Sequence, residues 1–519
     1  MTQAATAPAL DRRQTLLIVV ALMTATFLTA LDQTVVGTAM PTIVGQLGGL
    51  SLYSWVFTSY LLTSTVTVPI YGKLADLYGR LPVFYTGVAI FLVASALCGV
   101  AQSMEQLILF RALQGFGAGA VQPLVITMIG DVFTVEQRAK FNAIFSAVWG
   151  VASIAGPAVG GVLTDLVSWR YIFYLNVPIG IAACVMLARY FPERVVHRDH
   201  QLDLSGAALL TGAITALLLA TSTRGGGIEA GAATTVGLVV ASVVLSVAFV
   251  FNEQRAAEPV LPLSIFKNPV ISVATVATLL IGGLQFVTTS FLPLLIQGVY
   301  NGTATTAGAL LIPMSIGWPL GSMVGGRVIL AWGFRPALLA GVGAIALGSI
   351  PMAFIDRSTS LWVVSGLTGV TGLGLGFSTL ATVIAVQNSV EWSQRGVATS
   401  TNLFARTMGG SVAVTVLGAM LAGDLAQRLD GLHLPLTGGR SAIAEVTSLL
   451  EPSVRATFDP ATLVALQTAL SGSLHLVFAG VAVLAVGAIV AALRYPNVRV
   501  EQLHGVGPGA RPPAGTASH

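Results

Sequence analysis

Asp32 is the residue of this chain most in need of a chemical reason. From Gln14 to Leu31 there is no charge, and the carboxylate then falls inside the same apolar run, in ALDQTVVGTAMP (30–41). At the centre of a membrane helix an Asp costs roughly 2.5–3.5 kcal/mol on insertion scales. By the span boundaries below it is the single acidic residue well inside any apolar run; the other twenty lie in loops or at span ends. Arg111 is its natural partner. If the first helix rises from the cytoplasm, Asp32 sits about 25 Å up at the helical rise per residue. If the fourth helix descends, Arg111 lies about 9 Å down it by the same rise. In a hydrocarbon core about 30 Å thick those heights are similar. Burial and a nearby guanidinium act on a carboxylate in opposite senses, so a changing environment around Asp32 can move a proton. The rival reading is a structural ion pair in which neither group titrates.

The elements that would position these groups follow from composition. Of 519 residues, 55% are hydrophobic and 9% charged, and the mean hydropathy is +0.84. A soluble chain carries roughly 25% charged residues. The charges cluster between apolar runs of the length that crosses a bilayer, so the chain is an all-α polytopic membrane protein. The net charge of +4 is explained by basic loops held in the cytoplasm, with no basic run interleaved with aromatics to suggest nucleic acid. Cys98 and Cys184 lie in apolar runs at no metal-ligand spacing and read as inert packing residues. Arg12, Arg13 and the following apolar stretch imitate a signal peptide, but many spans follow and an uncleaved first helix is expected.

Fourteen candidate spans lie near 15–40, 52–71, 82–101, 105–129, 141–164, 171–191, 205–222, 233–251, 269–298, 305–326, 336–354, 361–387, 397–423 and 472–493. With a cytoplasmic N-terminus (1–14), seventeen of the 25 basic residues fall on the cytoplasmic side and six outside. The even number of spans also returns the tail (494–519) to the cytoplasm. The loop 424–470 is expected outside. Two stretches repeat. GKLADLYGRLP (72–82) and GRVILAWGFRP (326–336) share glycines, a base and a proline at an offset of 254, and GFGAG (115–119) recurs as GLGLG (372–376) at 257. The organisation expected is a six-helix half (15–191), two inserted helices (205–251) and a second six-helix half (269–493). Internal repeats of this kind mark secondary transporters.

These stretches carry a resemblance. GKLADLYGRLP resembles the loop signature of the major facilitator superfamily, RALQGFGAG (111–119) its fourth-helix motif, and GVASIAGPAVGG (150–161) its antiporter motif. LDQTVVGTAMP (31–41) and WRYIFYLNVPIG (169–180) are similar to the fourteen-helix drug:proton antiporter branch. The resemblance implies the major facilitator fold and proton-coupled export of amphipathic or hydrophobic compounds by alternating access. It implies roles for Asp32 and Arg111 in proton coupling, and for Gly72, Asp76, Gly79 and Arg80 as a conformational latch. Gly150, Gly156, Pro157, Gly160 and Gly161 would form a tight fifth-helix seal, for which small-residue packing is the generic alternative. The copy at 326–336 keeps Arg327 but has Leu330 in place of the acid, which weakens any second latch.

Trp55, Tyr60, Gln114, Trp149, Gln285, Phe286 and Phe291 are candidates to line a mixed aromatic and polar cavity. Arg406 has no evident acidic partner and is expected to snorkel toward the cytoplasmic end of its span. No HExxH, second intramembrane acid or GxxxxGK[ST] supports an enzyme. The expected partners are a small-molecule substrate, protons and the lipid bilayer, with no cofactor, metal or nucleic acid, for a monomer in a bacterial inner membrane. A dedicated exporter of one metabolite or lipid is the alternative within transport; a non-transporting receptor or scaffold is the alternative outside it.

Overall fold

The computed structural model describes residues 11–132, 135–191, 203–224, 231–256, 259, 261, 263–390, 395–430, 446–447 and 449–496. All regular structure among them is helical, as a bilayer demands, because a helix satisfies its backbone groups within one segment. The helices are α1 (Arg12–Leu47), α2 (Tyr53–Tyr78), α3 (Arg80–Val100), α4 (Met104–Val132), α5 (Val135–Leu166), α6 (Tyr171–Tyr174) and α7 (Asn176–Tyr190). They continue with α8 (Leu204–Arg224), α9 (Ala232–Arg255), α10 (Pro269–Gly298), α11 (Ala304–Trp332), α12 (Phe334–Ser349), α13 (Leu361–Asn388), α14 (Arg395–Asp430), α15 (Pro452–Arg455) and α16 (Pro460–Leu493).

Among the described residues, twelve helical segments are long and apolar enough to cross a membrane. α2 and α8 are helices at the two remaining expected positions, but the apolar part of α8, Ser205–Ala220, is short of the roughly 20 residues a span needs. The expected loop 424–470 is reduced from both ends. α14 runs on to Asp430, where Arg428 Nε bonds Asp424 Oδ2 at 2.6 Å, an i,i+4 pair that favours another helical turn. α16 starts at Pro460, a residue suited to the first helical position, and the Asp459 carboxylate accepts from the amides of Ala461 and Thr462.

The chain divides into two compact units. The first comprises Met1–Val260, Thr289–Ile312 and Gly418–Ser473; the second comprises Leu261–Thr288, Pro313–Leu417 and Leu474–His519. In the first unit α4 lies in backbone contact with two helices. Gly115 and Gly119 face Tyr60 O and Ser64 O of α2, while Gly117 faces Gly87 O of α3. A Cβ at Gly117 would stand 2.5 Å from that carbonyl, so a side chain would push the helices apart. Thr63 and Thr67 fasten the same seam by donating to the carbonyls of Ala112 and Phe116. In the second unit the repeat reproduces the arrangement: Gly372 and Gly376 meet Met314 O and Trp318 O of α11, and Gly374 meets Gly341 O of α12. Gly79 and Gly333, 254 residues apart, both join two helices at φ of 95° and 94°, a region that only glycine enters freely.

Candidate functional site

In the first unit α1, α4 and α7 converge on Asp32, which is fully buried. Its Oδ2 accepts from Arg111 Nη1 at 2.7 Å, and its Oδ1 from Gln114 Nε2 at 2.8 Å and Asn176 Nδ2 at 2.9 Å. Arg111 Nη1 also donates to Gln114 Oε1 at 2.7 Å, so the amide of Gln114 bridges the ion pair. Beneath the guanidinium lies the ring of Tyr60, 4.1 Å from Cζ to centroid, a cation–π contact. Asn176 spends its second N–H on Ser95 Oγ, whose hydroxyl donates to Phe173 O. Asn176 Oδ1 is buried and accepts nothing among the described residues. Cys98, expected to be plain packing, has its Sγ 3.7 Å from Gln114 Oε1 at the edge of this network.

Asn176 and Ser95 did not stand out in the sequence, although Asn176 is the polar residue inside WRYIFYLNVPIG. The start of that stretch explains its placement. Trp169 Nε1 donates to Gln46 Oε1 of α1 at 2.8 Å, and Arg170 Nη1 donates to the carbonyls of Gly99 and Ala101 at the end of α3. With the segment pinned to both helices, Asn176 at the start of α7 meets Asp32.

α5 packs on α1 through the expected glycines. Gly156 faces Thr34, whose hydroxyl donates to Ala152 O at 3.1 Å, and Gly160 faces Val35 O and Thr38. Gly161 faces Ala304 and Thr305, and the Pro157 carbonyl lies against Gly308, where a Cβ would be 2.2 Å away. Gly150 is half-buried on the same helix. Two turns past Pro157, the Asp165 carboxylate accepts from the amides of Ala304 and Thr305, at 3.1 and 2.7 Å. It caps α11, where the helix dipole favours a negative charge. Nearby, Gln297 Nε2 donates to Thr38 O at 2.9 Å, and Thr42 Oγ1 donates to Gln297 Oε1. The ends of α1, α5, α10 and α11 are therefore bound together within this unit. Neither Asp165 nor Gln297 belongs to a motif of the sequence.

The loop at 72–80 places Gly79 at the α2–α3 turn, and Arg80 Nη1 donates to Ala75 O at 3.2 Å. Gly72 has nothing within 4 Å of a Cβ position, and the side chain of Asp76 lies outside the described residues. The seven cavity candidates are divided. Tyr60 and Gln114 belong to the Asp32 network, Phe291 is buried against Tyr53, and Trp55 and Trp149 are half-buried. Gln285 and Phe286 belong to the second unit, where Phe286 packs on Gly410. A groove of about 490 Å³ runs along α1 and α5, lined by Leu16, Val20, Met23, Phe27, Val148 and Val151. Its far end, Phe27, is about 7 Å along α1 from Asp32 by helical rise.

Residues 22–414 match the family model of the Major Facilitator Superfamily. The chain belongs to the Major Facilitator Superfamily. Like other members it is a transporter rather than an enzyme. Multidrug transporter protein MdtP of Bacillus subtilis (strain 168) is 36% identical over 495 residues, covering 91% of this chain and 92% of that protein. Multidrug resistance protein 3 of the same strain is 34% identical over 466 residues, covering 89% and 91%. Among solved structures, a bacterial homolog of the human lysosomal transporter Spinster, in an inward-facing and unoccupied conformation, superposes with a TM-score of 0.66. At 16% identity, over 93% of this chain and 98% of that one, it shares the major facilitator fold.

Proposed function

We propose that this chain is a proton-coupled antiporter of the fourteen-helix drug:proton branch, exporting amphipathic or hydrophobic compounds from the cytoplasm by alternating access. The observation that carries the reading is the buried Asp32, which accepts from Arg111, Gln114 and Asn176 at once. Protonation would make one oxygen a donor and remove the charge that strengthens these three bonds, most of all the one from Arg111. Proton uptake is thereby tied to movement of α4 or α7 relative to α1. Asn176 Oδ1, an open acceptor beside the carboxylate, can hold the water that brings the proton. The multidrug transporters similar to this chain support the substrate class, as does the apolar groove along α1 and α5.

The cycle needs seals on both faces. In the topology read from the basic residues, the contacts of Asp165, Gln297 and Thr42 lie on the outer side and would keep that side closed. Gly72, Asp76, Gly79 and Arg80 would latch the cytoplasmic side in the opposite state, and the α5 glycines would prevent leak while the seals exchange. The test is transport in proteoliposomes. Asp32→Asn is expected to abolish uphill efflux driven by a proton gradient while downhill counterflow of the same compound persists, which shows the protein folded. Uphill efflux at the wild-type rate by this variant overturns the proposal.

A further inference from the structure

Arg406 stands in the second unit, inside a helix long and apolar enough to cross a membrane, and has no counter-charge among the described residues. It lies eleven residues into α14, and its guanidinium sits 5.4 Å from the ring of Trp318, the middle residue of the 29-residue α11. It has therefore not snorkelled to a helix end. A guanidinium carries five N–H donors. Nε is buried without an acceptor, and among the described residues Arg406 makes no hydrogen bond or ion pair. Neighbouring helices leave it little room to turn away. α10 and α14 run side by side in a matched register: Asn402 bonds Thr278 at 3.0 Å, Gly282 meets the backbone of Arg406, and Phe286 meets Gly410. Gly282 also lies against Cγ of Arg406, so α10 supports the stem while Trp318 faces the charged head. An intramembrane charge is expensive and normally paired. Here one face is occupied by an aromatic ring, and the donors have no acceptor among the described residues.

We propose that Arg406 and Trp318 form an anion-recognition site for the transported compound, one that takes an amphipathic molecule carrying a carboxylate, sulfonate or phosphate. The guanidinium binds the anionic group and the indole face packs on the adjoining apolar part. The proposal rests on the transport reading and narrows its substrate class toward anionic amphiphiles.

The experiment measures binding of 11-(dansylamino)undecanoic acid and its methyl ester to the full chain in phosphatidylcholine nanodiscs. Wild-type protein is expected to bind the acid at least about tenfold more tightly than the ester. Arg406→Gln should bring that ratio close to unity with the ester Kd unchanged, and Arg406→Lys should restore a preference for the acid. No preference in the wild type, a preference that survives Arg406→Gln, or equal weakening of both ligands overturns the site. Phosphatidylglycerol in the nanodiscs separates the sources of the anion. An unchanged acid Kd supports a transported compound, and a large rise gives the site to a lipid headgroup and overturns the substrate assignment. Binding needs neither gradient nor turnover, so this proposal and the proton-coupled transport reading fail by different measurements.

Discussion

Asp32 is held by geometry that a simple ion pair does not require. Arg111 alone would neutralise it, yet Gln114 and Asn176 add two hydrogen bonds and Tyr60 supports the guanidinium from below. A hydrogen bond to a charged group contributes roughly 1.5–3 kcal/mol. Asn176→Ala should therefore lower the stability of the purified protein by an amount in that range, read as a fall in Tm in detergent. Ser95→Ala should cost less, because it touches Asp32 only through Asn176. Equal Tm values for wild type and Asn176→Ala would remove Asn176 from the network. The pair was legible as two charged residues at similar heights in the first and fourth spans. Asn176 was not, because its reach depends on how Trp169 and Arg170 anchor the segment before it.

At the scale of elements, the glycines set which helices can touch. The motif glycines of α4 and α13 each place one helix against two neighbours in the same pattern, and this is the structural counterpart of the repeat. The repeat is not chemical: Phe286 stands 254 residues after Asp32, so the second copy has an aromatic ring where the first has the carboxylate. The approach of α5 to α11 is equally dependent on glycine. A Leu at Gly308 would meet the Pro157 carbonyl, and overpacking of this kind costs roughly 1–3 kcal/mol. We expect Gly308→Leu to separate the two helices and weaken the Asp165 cap. In a background with Cys98 and Cys184 replaced by Ala, a Thr42→Cys substitution should then react faster with a membrane-impermeant maleimide applied outside. Unchanged labelling would mean that this contact does not seal the outer face.

At the scale of the whole molecule, the charge distribution and the repeat leave α8 and α9 without counterparts. The apolar face of α9 carries Val236, Val240, Val243 and Val244 in the open, a surface suited to lipid. Asn252 near the end of α9 holds the Asp203 carboxylate beside the start of α8, which closes the hairpin at one end. We propose that this hairpin is a spacer that lets both six-helix halves keep one orientation. Ala substitutions scattered over 205–222 and 233–251 should leave the spectrum of exported compounds unchanged, though expression can fall. A single substitution there that alters which compounds confer resistance, at equal protein level, would bring these helices into the site.

Membrane class, helix positions and the placement of Asp32 inside an apolar run were determined by the sequence itself. Apolar run length is set by bilayer thickness and charge is costly in hydrocarbon, so both are written locally in residue types. The tight turns at Gly79 and Gly333 were likewise marked by residue type. Loop 424–470 misled because the i,i+4 pairing of Asp424 with Arg428 and the cap at Asp459 extend helices through polar residues, which hydropathy scores as loop. The contacts of Asn176, Asp165 and Gln297 were decided only by tertiary structure. Each joins residues more than a hundred positions apart, and nothing in a single chain's pattern says which polar side chain will meet which distant carboxylate, carbonyl or amide. Arg406 shows both limits at once. Its lack of an evident acidic partner was visible in the sequence, but its contacts with Trp318 and Gly282 were decided by the packing of α10, α11 and α14.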